Sequence, residues 1–533
     1  MRFGRLVVSM GILAVIGAMM AAPAGARDGA GAMPAARTDV RIDVHGRGLS
    51  GTTSRYRSSL QAPRTSARPT TATAPSSTTA APSPSAPVSL LAFAGIPDLG
   101  GFEPSDSTGA LGATFFVTAV NTDYAVWHLD GTPALAPADL DTIETNTDGL
   151  GLFDPKIVYD PYNSTFVLAY LAQSDAPRAS FIVLVAIPDA TADQTSTWCP
   201  SVIPGDWITT DAAQWADYPA LGFDGDRVAV STNQFTFPSS HGSFSYAQLL
   251  SFPKSSLYDC SQTLTGTAFA GTKTQNQDGS RAFTIQPAQT VGAAATRQFM
   301  LSFEGPGRDS FLTVWRLAEA ATGLKLKKGT VPTGRMKIAP PGTQGGGSET
   351  DPDTWWDTGD LRLINAFYDS DLNGLYAAHV VAKNLGPDAV TGGYLESVAR
   401  WYEVLPASRL ADSVLNRKGM VGQAETDAGW PVVATDDSGN LFVTYSRASE
   451  PLGEFISAWA AEIVPGSTAA VSTLLVPGVA LHDSLNGLER WGDFNGINRD
   501  PADPSRIAMV NQIATAGSTG SEWQQTVNVV AHG

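Results

Sequence analysis

The sequence contains few of the residue types that build redox, zinc and nucleotide sites. Its 533 residues include two cysteines and six histidines, too few and too far apart in the chain to indicate a zinc site. No P-loop, no dinucleotide-binding glycine pattern and no Gly-x-Ser-x-Gly turn occurs. The glycine-rich stretch PGTQGGGSETD (341–351) follows no strand-like run, so we interpret it as a loop. Nucleotide-dependent chemistry is therefore not expected.

Positive charge is also scarce. The chain has 34 Lys and Arg residues against 51 Asp and Glu residues, which gives a net charge of −17. The arginines of the first 88 residues are basic against this trend, so the remainder is more acidic than the average. An acidic body repels nucleic acid and other anionic polymers, and we expect no nucleic-acid partner.

Long hydrophobic runs are absent after the N-terminus. Arg2 and Arg5 precede an apolar run from Leu6 to Met20, and the small residues 24–26 follow it, which is the pattern of a secretory signal peptide cleaved after Ala26. The run is shorter than the roughly 20 residues that span a bilayer. We therefore predict a signal peptide over residues 1–26, no membrane span and a secreted, monomeric protein. In an oxidising compartment, Cys199 and Cys260 are expected to form a structural disulfide.

Residues 27–88 have a different composition from the rest of the chain. The stretch PRTSARPTTATAPSSTTAAPSPSAP is almost free of large apolar side chains, so it cannot offset the entropy cost of ordering. We predict a disordered linker over residues 27–88 and one folded domain over residues 89–533. The arginines of the linker could contact an anionic cell wall.

The chain does contain a repeat. Seven apolar runs follow turn-like stretches such as KIVYDPYNS, ALGFDGD and VVATDDSGN, whose Asp, Asn and Gly residues favour hairpins. The seven runs are TFFVTAVN (114–121), TFVLAYL (165–171), RVAVSTNQF (227–235), RQFMLSFEG (297–305), GLYAAHVVA (374–382), NLFVTYSRA (440–448) and RIAMVNQIA (506–514).

Each run is the second strand of a unit in which a third strand-like run follows, for example SFIVLVAIP, VARWYEV or TVNVV. Repeated antiparallel sheets without long amphipathic helices are typical of a β-propeller, and seven units predict seven blades. The chain ends directly after the third strand of the last unit. We therefore predict that VSLLAFA (88–94) supplies the missing outer strand and closes the ring.

The segments DLRLINAFYDSDLNGLYAAHV and RWGDFNGINRDPADPS, together with RWYEV, resemble secreted bacterial β-propellers of sialidase-like architecture. The resemblance covers residues 95–533 and implies this fold and an extracellular location. Sialidase-type Asp boxes are present only in the degenerate form TDDSGNLF (435–442), and no arginine triad with a Tyr/Glu pair is found. Sialidase activity itself is therefore not implied.

In a propeller, the starts of first strands and the ends of second strands lie on one face, around the central channel. The candidate residues at first-strand starts are Asp217, Asp360, Trp491 and Asp493, with Asp106 and Asp154 nearby. Those at second-strand ends are Asn121, Tyr170, Asn233, Glu304, His379, Arg447 and Asn511. Because the second set is polar at one position yet varied in identity, it fits an asymmetric ligand. A structural role at a turn remains open for Asp217 and Asp493.

Three chemistries are compatible with these residues. A glycoside hydrolase would use Glu304 or His379 with Asp360 or Asp493 as the acid and the second carboxylate. A polysaccharide lyase would use a cation at Arg447 and a base at His379 or Tyr170. An oxygen-rich shell of Glu304, Asn233, Asn511 and an Asp could instead hold Ca²⁺ in a lactonase or esterase.

Tryptophans indicate the class of ligand. Trp355 and Trp356 stand together in the polar stretch DPDTWWDTGD (351–360), and Trp215 and Trp430 hold similar positions in other units. Flat aromatic rings beside carboxylates and amides are suited to sugar rings, although the same rings could pack between blades. We therefore predict a glycan-directed propeller, possible as a hydrolase or lyase. The alternatives are a non-catalytic carbohydrate- or protein-binding adhesion module and a Ca²⁺-assisted lactonase or esterase.

Overall fold

The computed structural model describes residues 37–45, 85–99, 103–207, 213–293, 296–321, 323–386, 395–484, 487–516 and 521–533. The predicted signal peptide and most of the predicted linker lie outside these residues. Nearly all regular structure in the described chain is β-strand. Among the described helices, none is long and apolar enough to cross a membrane.

Two strands precede the main body, β1 (Val40–His45) and β2 (Val88–Pro97). The strands that follow form four-stranded antiparallel meanders, numbered here in chain order. Meander 1 contains β3 (Thr108–Leu111), β4 (Phe115–Ala119), β5 (Asp123–His128) and β6 (Pro133–Asp139). Meander 2 contains β7 (Gly151–Asp160), β8 (Thr165–Asp175), β9 (Arg178–Pro188) and β10 (Cys199–Pro204). Meander 3 contains β11 (Gln214–Phe223), β12 (Arg227–Thr236), β13 (Phe244–Pro253) and β14 (Leu264–Phe269).

Meander 4 contains β15 (Gln286–Val291), β16 (Phe299–Glu304), β17 (Phe311–Ala318) and β18 (Lys325–Pro332). Meander 5 contains β19 (Ala366–Asp369), β20 (Gly374–Lys383), β21 (Glu396–Leu405) and β22 (Val414–Val421). Meander 6 contains β23 (Asp427–Thr435), β24 (Leu441–Ser449), β25 (Glu454–Ile463) and β26 (Val471–Val476). The last sheet contains β27 (Gly496–Arg499), β28 (Arg506–Ala516) and β29 (Ser521–Ala531), and β2 pairs with β29 at its outer edge.

Helical structure in the described residues is limited to single turns. One α-helical turn, α1, spans Lys254–Leu257. The 3₁₀ turns are Leu140–Thr142, Thr145–Thr147, Asp189–Thr191, Thr195–Thr197, Ser239–His241, Gly271–Thr274, Pro352–Thr354 and Leu410–Asp412.

The first strands of the meanders pack side by side. Parallel pairing joins β11 to β15 and β15 to β19, so meanders 3, 4 and 5 share one extended sheet. Elsewhere asparagines make the connection: Asn365 exchanges two hydrogen bonds with the backbone of Val433, and Asn498 does the same with Leu111. The packing is close, since a Cβ at Gly496 would lie 2.4 Å from the carbonyl oxygen of Gly109. The fold is therefore all-β and of propeller type.

A repeated aspartate shapes the turn between first and second strands. Its carboxylate accepts hydrogen bonds from backbone N–H groups two to four residues ahead, which stabilises the turn without the tertiary structure. The five aspartates at this position are Asp160, Asp224, Asp369, Asp436 and Asp500. These turns explain why the hairpin repeat is visible in the sequence.

The prediction of a disordered linker over residues 27–88 is wrong for residues 37–45. Strand β1 lies within this range and pairs in parallel with β14 at the outer edge of meander 3. Its apolar residues Val40, Ile42 and Val44 alternate with polar ones and pack on the core of the neighbouring meanders. The pairing covers an open sheet edge, which offsets the ordering entropy that composition alone cannot.

Arg37 anchors the start of this segment. Its guanidinium donates hydrogen bonds to the carbonyl oxygens of Leu257 and Asp259, both at 2.8 Å, and to that of Gln262 at 3.1 Å. It also donates to the carbonyl of Ser256 and to the hydroxyl of Ser201. The loop that it holds contains Cys260, and the predicted disulfide between Cys199 and Cys260 is confirmed. One arginine and one disulfide therefore fix the same loop.

We predict that Arg37→Ala destabilises the protein by about 2 to 3 kcal/mol, because several carbonyl groups lose a charged donor at once. Urea unfolding measures the effect. The matched control is Arg41→Ala, since Arg41 lies in β1 with a side chain that is 77% exposed and makes only a 4.0 Å contact with Asp39. Equal effects of the two substitutions would contradict the anchoring role.

Candidate functional site

The start of each first strand contains a residue in the left-handed region. These residues are Asp106, Asp154, Tyr218, Thr284, Gly359, Trp430 and Gly492. In meanders 2, 3 and 6 the residue lies at a β-bulge and precedes a proline. A bulge re-aims the backbone and the adjacent side chains, and here it turns them toward the place where the first strands converge.

Six aspartates and three cations gather at this place, which we call the axial cluster. Its members interact electrostatically with one another, although they come from distant parts of the chain. They are Asp106, Asp154, Asp217, Asp357, Asp360, Asp493, Lys156, Arg362 and Arg490.

Asp106 and Asp154 form the most closely coupled part of the axial cluster, because their carboxyl groups hydrogen-bond to each other. Asp106 also accepts from the backbone N–H of Asp493 at 2.9 Å, and Asp154 accepts from the N–H of Tyr218 at 3.0 Å. Burial, followed by the charge of Asp493, raises the pKa of Asp106 to about 7. Burial, followed by the charge of Asp106, also raises the pKa of Asp154. The pair therefore holds a proton near neutral pH.

The guanidinium groups neutralise the other carboxylates. Arg490 lies 3.0 Å from a carboxylate oxygen of Asp493 and 3.7 Å from one of Asp357. Arg362 pairs with Asp360 at 2.9 Å and packs over the ring of Tyr218, with 4.2 Å between the guanidinium carbon and the ring centre. Despite burial, these carboxylates raise the pKa of both arginines.

Lys156 is the third cation. Its ammonium group packs 4.6 Å from the ring centre of Phe494 and has no hydrogen-bond partner among the described residues. Burial lowers the pKa of Lys156 to about 7, although the charge of Asp106 acts in the opposite direction. A buried amine that titrates near neutrality is typical of a functional site rather than of a core.

The axial cluster is in contact with solvent. Asp154, Asp360 and Asp493 retain 7–8% of their exposure, whereas the side chain of Arg490 is 31% exposed. Asp217 is half-buried, and burial raises its pKa to about 6. The arrangement places a proton-holding pair at the base of an opening that carries ionised groups at its side.

The structure brings four of the residues predicted from sequence together here. Asp217, Asp360 and Asp493 belong to the axial cluster, and Asn121 supports it. The side-chain carbonyl of Asn121 accepts from the N–H of Asp154 at 2.8 Å, and its amide donates to Asp106. Asn121 therefore orients the pair instead of offering its amide to a ligand.

The structure does not bring His379 or Glu304 to the axial cluster. His379 is fully buried between Phe303 and Tyr402, and its ring nitrogens bond the carbonyl of Leu361 and the hydroxyl of Tyr402 at 2.9 and 2.8 Å. Burial lowers its pKa to about 3, so it stays neutral. Glu304 is 1% exposed and accepts from the side chain of Asn276. Neither position is accessible to a substrate.

The other residues at second-strand ends are also engaged in packing. Asn233 bonds the backbone and hydroxyl of Thr284, and Asn511 bonds Thr444 and Ser446. Tyr170 is fully buried, with its hydroxyl toward the carbonyl of Leu140. Arg447 forms a two-pronged pair with Glu454 and stacks on Trp459. The predicted ring of ligand-facing side chains is therefore mostly a set of inter-strand and inter-meander contacts.

The tryptophans divide in the same way. Trp356 and Trp491 are buried, and their indole N–H groups donate to the carbonyl of Thr343 and the hydroxyl of Ser446. Trp355 is half-buried in the segment that leads into Asp357, and it donates to the carbonyl of Ser348. Of the three, only Trp355 keeps a surface that a ligand could reach.

Sequence reasoning missed Arg362, Arg490 and Lys156. The signal was present, since Arg362 follows Asp360 by two residues and Arg490 precedes Asp493 by three. A cation beside an aspartate at two equivalent strand starts predicts charge compensation at a crowded acidic site.

A groove of about 620 Å³ lies at the opposite face, beside the turns between first and second strands. Its lining includes Asp224, Lys254 and Tyr258. Lys254 pairs with Asp160 at 2.7 Å, and Tyr258 donates to the same carboxylate. Because these groups already satisfy one another, we place the candidate site at the axial cluster and not in this groove.

No family model and no curated protein matches the chain. Solved structures with a similar fold include a protein of unknown function from Dyadobacter fermentans, at 10% identity over 72% of this chain and 95% of that chain, with a TM-score of 0.39. An α-L-arabinofuranosidase from Fusarium graminearum matches at 9% identity, 83% and 98% coverage and a TM-score of 0.37. A Trypanosoma rangeli sialidase mutant matches at 10% identity, 76% and 57% coverage and 0.35. At this level of similarity no activity is carried over to the chain.

We predict that Asp154→Asn makes the stability less sensitive to pH. The pKa of Asp106 rises from 3.8 to about 7 on folding, so the folded state binds the proton more tightly. This contribution is present at low pH and is lost as pH rises from about 4 to about 7. An amide at position 154 donates to Asp106 permanently, accepts from Tyr218 as before and tolerates the left-handed backbone.

Urea unfolding at about pH 4.5 and about pH 8 measures this effect. The drop in unfolding free energy between the two conditions should shrink by on the order of 1 kcal/mol in Asp154→Asn. Asp353→Asn, at an exposed loop position, is the control and should behave as the unsubstituted protein does. An unchanged drop in Asp154→Asn would show that the pair shares no proton.

Proposed function

We propose that the protein is a glycan-directed propeller that hydrolyses glycosidic bonds at the axial cluster. The observation that carries the proposal is the Asp106–Asp154 pair, which holds a proton beside the ionised, arginine-paired Asp493. Glycoside hydrolysis requires one protonated and one ionised carboxyl group on the two sides of the bond. Environments that separate the protonation states of neighbouring carboxyl groups identify such roles.

In this proposal the Asp106–Asp154 pair donates the proton to the leaving oxygen. Asp493 is held ionised by Arg490 at 3.0 Å and acts as the base or nucleophile. Arg362 and Lys156 contribute positive charge near the reacting centre, and Trp355 offers its half-buried ring to a sugar face. Asn121 is a positioning residue because it touches only the pair.

The contacts favour a hydrolase over a lyase. The lyase assignment requires Arg447 near a uronate carboxylate, yet Arg447 pairs with Glu454 at 2.7 Å. It also requires a base at His379 or Tyr170, and both are fully buried with hydrogen-bonded side chains. A Ca²⁺ shell of Glu304, Asn233 and Asn511 is equally disfavoured, since each side chain bonds a protein group instead.

The proposed architecture is a closed ring of seven blades. Each first strand contacts the next, from β3 and β7 through to β23 and β27, and β27 contacts β3 again. The hydrogen bonds between Asn498 and Leu111 and between Asp493 and Asp106 cross this last junction. Pairing of β2 with β29 supports closure by the N-terminal strand. Secretion as a monomer, and cell-wall contact through the basic linker, complete the proposal.

We predict that Asp154→Asn and Asp493→Asn lower turnover by about 10² to 10⁴-fold, since each removes an acid or base group. The assay is mass spectrometry of the products formed from a panel of neutral and uronic polysaccharides. Asp353→Asn is the control with unchanged turnover. The rate should fall above about pH 7, where the Asp106–Asp154 pair loses its proton.

Three outcomes would contradict the hydrolase. Unsaturated product ends would identify a lyase, and loss of activity on chelation of Ca²⁺ would identify a metal-assisted enzyme. Retention on one polysaccharide without any product would identify a binding module. In the last case, Asp154→Asn should leave retention unchanged.

A further inference from the structure

We propose that Glu103, His482 and Glu489 form a binding site for one divalent cation with the ligand preference of Zn²⁺. The three residues lie outside the axial cluster and take no part in the proposed hydrolysis. Among the described residues, they are the one group of at least three His, Cys, Asp or Glu side chains whose ligand atoms all lie within 4.8 Å of one another.

The distances within the group match a metal shell. His482 Nε2 lies 3.2 Å from a carboxylate oxygen of Glu103 and 3.9 Å from one of Glu489. Ligand atoms that each lie about 2.0 to 2.2 Å from a tetrahedral Zn²⁺ are separated by roughly 3.3 to 3.6 Å. The observed separations bracket this range, so an ion fits between the three atoms with small shifts of flexible carboxylates.

Polar atoms at the site lack partners. His482 is 1% exposed, and neither ring nitrogen makes a hydrogen bond in the described structure. The second carboxylate oxygen of Glu103 is also buried without a partner. A buried polar atom without a partner costs about 1 to 3 kcal/mol, so such atoms are rare. Two of them that converge on one point indicate a ligand.

The backbone around the site is held in place before any ion binds. The side chain of Gln344 exchanges two hydrogen bonds with the backbone of His482, at 3.0 and 2.8 Å. Ser484 donates from its N–H and its hydroxyl to Glu489, both at 2.9 Å. Trp491 covers the imidazole with its ring centre 5.0 Å away. Outer contacts of this kind orient the ligands of metal sites.

The site joins two parts of the chain that are far apart in sequence. Glu103 follows β2, the outer strand of the last sheet, whereas His482 and Glu489 precede β27, the first strand of the same sheet. Glu489 is adjacent to Arg490, which pairs with Asp493 and Asp357. An ion therefore fastens the N-terminal segment to the loop that carries an arginine of the axial cluster.

Metal content of the purified protein tests the proposal. After incubation with ZnSO₄ and removal of unbound ion, elemental analysis should find about one Zn²⁺ per chain. Added Zn²⁺ should also raise the melting temperature. Glu103→Gln and His482→Gln should each weaken Zn²⁺ binding tenfold or more and lose the thermal shift.

The matched control is His532→Gln. His532 contacts Glu462, so the substitution removes another histidine that pairs with a glutamate, away from the proposed ligands. It should leave the zinc content and thermal shift unchanged. If His482→Gln fails to fold, Glu103→Gln still tests the site, since Glu103 lies in a loop with a side chain that is 15% exposed.

The competing explanation is a protonated imidazole between two carboxylates. Burial opposes the charged form, but Glu103 and Glu489 raise the pKa of His482. In that case the protein would contain no Zn²⁺, and added Zn²⁺ would shift its melting temperature no more than that of Glu103→Gln. This result would overturn the metal site. Because the readouts are metal content and melting temperature, failure of the hydrolase proposal would leave them unaffected.

Discussion

Repulsion among the carboxylates at the axis is the constraint that the rest of the structure must satisfy. Six aspartates meet where the first strands converge, and an isolated buried carboxylate is strongly unfavourable. Three responses are visible: a shared proton between Asp106 and Asp154, guanidinium groups from Arg362 and Arg490, and backbone N–H donors from Tyr218 and Asp493. All three depend on strands from different meanders, so the cluster assembles only when these meanders pack together.

This dependence explains the unusual backbone at the strand starts. A left-handed residue costs an L-amino acid roughly 1 to 2 kcal/mol, and an Asp or Asn tolerates it better than a bulky residue. Tyr218 and Trp430 nevertheless adopt it. In return Tyr218 donates its N–H to Asp154 and its hydroxyl to the carbonyl of Asp493, and the indole of Trp430 donates to the carbonyl of Asp357. The local strain is balanced by bonds to the axial cluster.

The hairpin repeat was predictable because its determinants are local. Turn aspartates such as Asp224 and Asp500 bond the backbone within four residues, and the alternation of a strand needs no distant partner. The residues of β1 were missed for the opposite reason. They are surrounded by linker-like sequence, and their order comes from the edge of β14 and from carbonyls held by Arg37, more than 200 residues away.

The candidate site was only partly predictable because side-chain direction depends on bulges. Asp217, Asp360 and Asp493 could be found from their repeated positions, whereas Asp106 and Asp154 lie one step out of that register. Polar residues at second-strand ends were expected to face a ligand, yet Asn233 and Asn511 bond neighbouring strands. One residue of register separates these two outcomes, and sequence patterns do not resolve it.

The division between first and second strands has a consequence for function. A second strand is flanked on both sides within its own sheet, so a polar group there is readily satisfied by its neighbours, as His379 is. A first strand has an in-sheet neighbour on one side, and its start projects beyond the sheet. Polar groups at that end must find partners on other meanders or in solvent. Groups with raised pKa values, such as Asp106, and unpaired amines, such as Lys156, therefore accumulate there, and this is where chemistry on a ligand can occur.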